Sequence, residues 1–251
     1  MITDFIRIAF LGGMLAVDRA AGWNLMLSQP LVAACLAGAL VHPGPEWELW
    51  ALRIPIAVGA LLQLLLTNAA LPAAQKPHDT ATAGVVGSTV AVLGMGHLHA
   101  VIPTSAGGLL WVLLGVLSGL VAAVLGGWVQ GLNRAAAASD SRRAVALAAA
   151  GDAAGYERLY LGALVRIFTL GALWTWCGAL LLLAAAIAIL PRVAEAVTTR
   201  RIGFVFAVVL GGAVATAYET HVRGVKGGLR WTAAGAAATA ALLLALAAEG
   251  A

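Results

Sequence analysis

Charged residues are scarce in this sequence of 251 residues, of which 62% are hydrophobic and only 10% are charged. A soluble globular domain carries about 25% charged residues. No Asp, Glu, Lys or Arg occurs in residues 80–133 or in residues 167–191. About 20 apolar residues are enough to cross a bilayer as a helix, and both stretches are longer. The composition therefore excludes an ordinary soluble domain and predicts an all-α polytopic membrane protein.

Motifs for catalysis and metal binding are also missing. The sequence has no Gly-x-Ser-x-Gly elbow, no P-loop and no Cys/His cluster. Its two cysteines, Cys35 and Cys177, stand alone in apolar runs, and His97 and His99 do not share a helix face. We therefore expect no catalytic residue, metal or cofactor in this chain. We expect no cleavable signal either, because the first apolar segment has no basic n-region.

The basic residues are concentrated in a few polar segments. The net charge is +4 and the pI is about 9.6, which we attribute to cytoplasmic loops rather than to nucleic-acid binding, because Lys and Arg accumulate on that side of a membrane. The longest polar segment, 134–158, carries four arginines against three carboxylates. We interpret it as a cytoplasmic loop within a single membrane domain, 1–251, joining halves at about 1–133 and 159–251.

Eight apolar segments are separated by polar breaks. They lie at 5–27, 28–42, 49–72, 80–100, 103–132, 159–190, 202–220 and 229–248. Several are unsuited to a simple span, because 28–42 is short and 49–72 contains Arg53 and Pro55. Short or Gly/Pro-interrupted segments are typical of the broken helices of transporters. We therefore expect broken or re-entrant helices beside full spans.

Polar side chains cluster around the break that follows the third apolar segment. Gln63, Thr67 and Asn68 lie at its end, and Asp79 follows two prolines. Their mixed donors and acceptors suit a ring of sugar hydroxyls, and a carboxylate at membrane depth indicates a functional site. The alternative is that the amides bond neighbouring helices to one another. Composition alone leaves both interpretations open.

Three stretches resemble the IIC membrane subunit of the mannose/fructose/sorbose family of bacterial sugar phosphotransferase systems. The first, "DRAAGWNLMLSQPLVAACLAGALV", matches an acidic residue, an aromatic-containing link and a Gln-Pro-Leu-Val-Ala run. The second matches a glycine with a Glu/Gln, here Gly59 and Gln63, and a Pro-Asp that appears here as His78-Asp79 after Pro77. The third is the segment after "VQGLNRAAAASD". The likeness covers about residues 10–145 and is looser afterwards.

The resemblance implies a fold of inverted-repeat helices with re-entrant hairpins. It also implies a multi-pass location in the bacterial inner membrane and an oligomeric assembly. It implies a hexose substrate, a IID membrane partner and soluble IIA and IIB proteins that carry the phosphoryl group, so that no phosphorylated residue is expected here. It also adds Gln29, which precedes Pro30 at a second polar break, to the candidate binding residues Gln63, Thr67, Asn68 and Asp79.

Two other functions remain open. One is a IIC-like subunit that no longer transports and has a structural or regulatory role. The other is an unrelated ion-coupled secondary transporter, in which Asp18 or Asp79 holds the proton or Na⁺, because a carboxylate within the membrane is costly without such a role.

Overall fold

The computed structural model describes residues 2–20, 26–41, 50–66, 79–98, 104–194, 203, 205, 207–212 and 214. Within these residues the regular structure is entirely helical. The helices are α1 (Ile2–Ala20), α2 (Pro30–Leu40), α3 (Trp50–Leu66), α4 (Thr80–Leu98), α5 (Thr104–Ala149) and α6 (Ala153–Ala194). The predicted all-α class is thus confirmed, whereas the inverted repeat stays a prediction.

Helix α4 lies at the centre and packs against each of the other five helices. Every residue from 81 to 95 is buried. A helix that is apolar on all sides is suited to such a position, and α4 carries no charged residue. The polar side chains in its buried part are serine and threonine, and Thr89 donates its hydroxyl to the Val85 carbonyl within the same helix (2.7 Å). Polar groups can therefore be buried in α4 without a partner from another helix.

Glycines allow the helices to approach closely at two crossings. A Cβ atom on Gly115 of α5 would lie 2.7 Å from the Gly87 carbonyl oxygen of α4. At the other crossing, a Cβ on Gly13 of α1 would lie 2.7 Å from the ring of Phe168 in α6, and that ring also meets Phe10 edge-on at 5.6 Å. A Cβ atom cannot lie this close to its neighbours without displacing them, so glycine is required for both crossings.

The second and third helices are short. Met26 adopts a left-handed conformation (φ 57°) in the turn before α2, and Pro30 then occupies the first helical turn, where a missing N–H costs nothing. Helix α2 has 11 residues and is about 16 Å long, much less than the hydrocarbon thickness of about 30 Å. Helix α3 has Pro55 inside it. The predicted apolar segments therefore form helices here, but α2 is too short to be a full span.

The polar segment 134–158, predicted to be a cytoplasmic loop, is almost entirely helical, and its location in the cytoplasm stays a prediction. Helix α5 continues to Ala149, and α6 begins at Ala153. The turn between them uses Gly151 at φ 70°, and the Asp152 N–H donates to the Leu147 carbonyl (3.0 Å). Asp152 then caps α6 by accepting from the Gly155 N–H (2.8 Å). Alanine is the strongest helix former, and the Ala-rich composition of this segment explains the difference.

Two helices in the described part are long and apolar enough to cross a membrane, within Gly108–Ala149 and Ala153–Leu190. They form an antiparallel hairpin whose far end is polar. Asp140 of α5 and Arg166 of α6 pair across it at 2.6 Å. Both helices of the hairpin pack on α4, and most residues of its polar end are exposed.

Candidate functional site

A cavity of about 320 Å³ lies where α1, α5 and α6 surround the beginning of α4. Its wall is apolar along most of α1 and α6, where Leu15 and Ile167 contribute. The polar lining residues come from all four helices and their ends: Arg19, Asp79, Thr82, Gln130, Asn133, Arg134 and Trp174. An apolar pocket of this size with a few convergent polar groups is the usual form of a small-molecule site.

Asp79 is held in place by its backbone and by one carboxylate oxygen. Its N–H donates to the Ala123 carbonyl of α5 (3.0 Å). Its Oδ1 accepts from the Thr82 N–H (3.1 Å), which is the arrangement of a helix N-cap. The same oxygen lies 3.4 Å from the Arg19 guanidinium. Asp79 therefore begins α4 and presents its charge to the cavity.

Arg19 connects three helices at the cavity wall. One guanidinium nitrogen is paired with Asp79, and another donates to the side-chain oxygen of Gln130 on α5 (2.5 Å). The Arg19 side chain is 30% exposed and that of Asp79 is 13% exposed, so the pair is largely shielded from solvent. A charge pair in such surroundings is costly to break, because removal of one partner leaves the other charge buried.

Trp174 approaches Asp79 across a glycine. A Cβ atom on Gly126 would lie 2.9 Å from Trp174 Nε1 and 3.2 Å from Asp79 Oδ2, so both atoms face the same small space. Trp174 Nε1 and Asn133 Oδ1 are buried and have no hydrogen-bond partner among the described residues. A buried polar atom without a partner costs about 1–3 kcal/mol. The cavity thus contains an unused donor and an unused acceptor beside a charge pair.

The predicted site residues separate into two places. Asp79 lines the cavity, whereas Gln63 and Gln29 are absent from its lining. The Gln63 amide donates to Gln29 Oε1 (2.6 Å), and its own oxygen accepts from the Leu31 N–H (3.3 Å). These bonds join α3 to the beginning of α2, as the alternative interpretation of the amides predicts. Thr67 and Asn68 lie outside the described residues, and their assignment stays a prediction.

Sequence reasoning did not find Arg19, Gln130, Asn133 or Trp174 as site residues. Arg19 directly follows Asp18 in the sequence, and tryptophans of membrane proteins are commonly found in interfacial belts, so neither residue indicated a site. One signal was present in "WVQGLN": Gln130 and Asn133 are three residues apart at the end of a long apolar run, and this spacing places both on one helix face. The partners of that face could not be read from the sequence.

Comparison with known proteins does not identify the chain. It matches no model of a known protein family and no curated protein.

Proposed function

We propose that this chain is a multi-pass protein of the bacterial inner membrane and the sugar-permease subunit of a mannose-family phosphotransferase system. In this proposal the cavity at Arg19 and Asp79 receives a hexose. The sugar is phosphorylated by IIA and IIB proteins as it reaches the cytoplasm, and a IID subunit completes the membrane complex. The family assignment rests on the ordered motifs in the sequence, and the location of the site rests on the geometry of the cavity.

The exposed surface of α6 supports a membrane location. In its most apolar window only 33% of the residues are buried, whereas a core helix of a soluble protein is mostly buried. Leu173, Leu181 and Ile189 are each more than half exposed. Large exposed apolar patches on a monomer mark a surface that faces a partner or a membrane. A lipid environment satisfies this face along the apolar part of the helix.

The hydrogen-bonding capacity of the cavity is the observation that carries the sugar assignment. A hexose presents hydroxyl groups that both donate and accept. Asp79 Oδ2 and Asn133 Oδ1 accept, Trp174 Nε1 donates, and the Arg19–Asp79 pair supplies charge-assisted bonds. Apolar residues form the rest of the wall. This combination matches the general form of a polar-solute site enclosed by apolar walls.

Hexose uptake in cells that contain the chain with its cognate IID, IIA and IIB proteins tests the proposal. Trp174→Phe keeps an aromatic ring but removes the N–H, and we expect uptake at low hexose concentration to fall about tenfold, since one buried hydrogen bond is worth about that factor. Trp176→Phe is the matched control, because Trp176 lies two residues away outside this cavity, in an apolar groove of α1 and α6. Equal uptake by both variants would reject the site.

A second candidate function is ion-coupled transport, which the burial of Asp18 favours. Its side chain lies in α1 beside Arg19, and the residue is only 3% exposed. Carboxylates buried within membrane helices commonly form proton or ion pathways. Uptake that disappears when the ion gradient is collapsed, and that does not change without the phosphocarrier, would support this candidate over the phosphotransferase system.

A further inference from the structure

The charges that line the cavity are unequal. Two guanidinium groups, those of Arg19 and Arg134, stand against the single carboxylate of Asp79. Arg134 follows Gln130 by about one turn of α5, and its charge is close enough to Arg19 to repel it. The hydrogen bond and ion pair of Asp79 join it to Arg19 and not to Arg134. The cavity therefore carries a net positive charge at the end marked by Arg134.

Arg134 has no counter-ion in the part of the chain that the structure describes. It is exposed, and no described residue forms a hydrogen bond or ion pair with it. The nearest carboxylate that follows it in α5, Asp140, is paired with Arg166 at 2.6 Å. A cation at the rim of a cavity, beside a second cation, favours a ligand that brings its own negative charge.

Guanidinium groups recognise phosphate well. Their planar array of N–H donors matches phosphate oxygens in a bidentate arrangement, and such charge-assisted bonds are about twice as strong as neutral ones. The Asn133 side chain lies one residue before Arg134 and lines the same cavity, so that an amide is available next to the guanidinium. The polar segment that begins at Arg134 has the excess of arginine expected on the cytoplasmic side, where a phosphorylated sugar would form.

We propose that the Arg134 end of the cavity is a phosphate subsite, and that the cavity binds the phosphate monoester of its hexose more tightly than the hexose itself. This inference rests on the proposed function. Its consequence is product inhibition, because accumulated hexose phosphate occupies the cavity from the cytoplasmic side. Arg19 and Asp79 hold the sugar ring, and Arg134 holds the phosphate.

Calorimetric titration of the purified full chain, with its IID partner and in neutral-lipid nanodiscs, tests the subsite. The ligands are a hexose, its 6-phosphate and inorganic phosphate. We expect the 6-phosphate to bind about tenfold more tightly than the hexose, as one charge-assisted interaction provides. Arg134→Gln removes this preference, whereas Arg134→Lys retains part of it. Arg142→Gln is the control, because Arg142 is an exposed arginine of the same helix that does not line the cavity.

The other outcomes overturn the inference in different ways. An Arg134→Gln protein that keeps the full preference shows that the phosphate lies elsewhere. Inorganic phosphate that binds as tightly as hexose 6-phosphate shows an anion site with no sugar component. A preference that disappears in nanodiscs with anionic lipid shows that Arg134 pairs with lipid phosphate. A chain that binds neither sugar form, but still binds phosphate, rejects the proposed function and not the cationic site.

Discussion

At the scale of single residues, Asp79 has three roles, and truncation of its side chain would remove all of them at once. Its Oδ1 caps α4 through the Thr82 N–H and also pairs with Arg19, while Oδ2 faces the cavity near Trp174. An alanine at this position removes the cap, the charge and the cavity-lining group together. Substitutions that remove them one at a time are therefore needed.

Asp79→Asn and Asp79→Ala should separate these roles. Asparagine caps a helix about as well as aspartate, whereas alanine costs about 1 kcal/mol more. Because both variants also leave the Arg19 charge without its partner, we expect both to lower the thermal unfolding midpoint and the alanine variant to lower it further. Both variants leave Arg19 without its carboxylate, and we expect both to lose hexose uptake by about tenfold or more. Uptake by the asparagine variant at the wild-type level would show that the negative charge is dispensable.

Gln63 and Gln29 offer a second test at this scale. Their hydrogen bond of 2.6 Å favours an interhelical role, so we expect Gln63→Leu to reduce stability by about 1 kcal/mol with little effect on hexose affinity. In a double-mutant cycle, Gln29→Leu should add less to Gln63→Leu than it costs alone. Additive stability effects combined with lost hexose binding would instead restore both amides to the binding site.

Residue types could be predicted at these positions, but their partners could not. The scarcity of polar groups directs attention to Gln63 and Asp79, and both make specific contacts. Arg19 and Asp79 are 60 positions apart, and Arg19 and Gln130 are 111 apart. Such pairings follow from how α1, α4 and α5 cross, which is decided by packing and not by any local pattern. Sequence reasoning therefore finds one member of the site and misses those that surround it.

At the scale of helices, the apolar segments and the polar breaks between them predicted most of the elements. The segments 80–100 and 103–132 correspond to α4 and the first part of α5. The helical structure of 134–158 has a local cause that polarity does not reveal. Alanine favours helix, and "GD" at Gly151 and Asp152 combines a typical helix end with a typical helix start. The polarity of a segment determines whether it lies in water, whereas its helix propensity determines whether it is helical.

The α4–α5 crossing gives a prediction at this scale. In Gly115→Ala the new Cβ would lie 2.7 Å from the Gly87 oxygen and 2.9 Å from the Ala91 side chain, so the helices must separate. We expect a loss of about 1–3 kcal/mol, typical of overpacking, measured as a lower midpoint of thermal unfolding in detergent.

Gly131→Ala is the matched control in the same helix. Nothing lies within 4 Å of a Cβ at Gly131, and replacement of an exposed helical glycine by alanine gains up to about 1 kcal/mol. Its midpoint should therefore stay the same or rise. If both variants shift the midpoint equally and downward, general helix effects rather than the crossing explain the loss.

At the scale of the whole molecule, the α5–α6 hairpin is longer than a membrane is thick. Helix α5 has 46 residues and α6 has 42, which corresponds to more than about 60 Å each, against a hydrocarbon core of about 30 Å. The apolar parts of the two helices are long enough to cross a membrane, and in a membrane-spanning arrangement the arginine-rich end projects from the bilayer. The proposed orientation places this end in the cytoplasm.

Site-directed labelling tests both the membrane location and the orientation. In a protein with Cys35→Ala and Cys177→Ala, we expect Ala150→Cys at the turn to react with a membrane-impermeant maleimide in inverted vesicles but not in intact spheroplasts. Leu181→Cys is the informative comparison, because Leu181 is 66% exposed and about 45 Å of helix separates it from the turn. In a soluble protein both positions would react rapidly.

In the proposed arrangement the cysteine at 181 faces lipid and stays unlabelled from either side until detergent is added. A thiol reacts as the thiolate, and the hydrocarbon excludes this charged form. Rapid labelling at 181 in intact vesicles would reject the membrane span. Labelling of position 150 in spheroplasts alone would reverse the orientation. The phosphate subsite would then lie on the side of the membrane where no sugar phosphate is made.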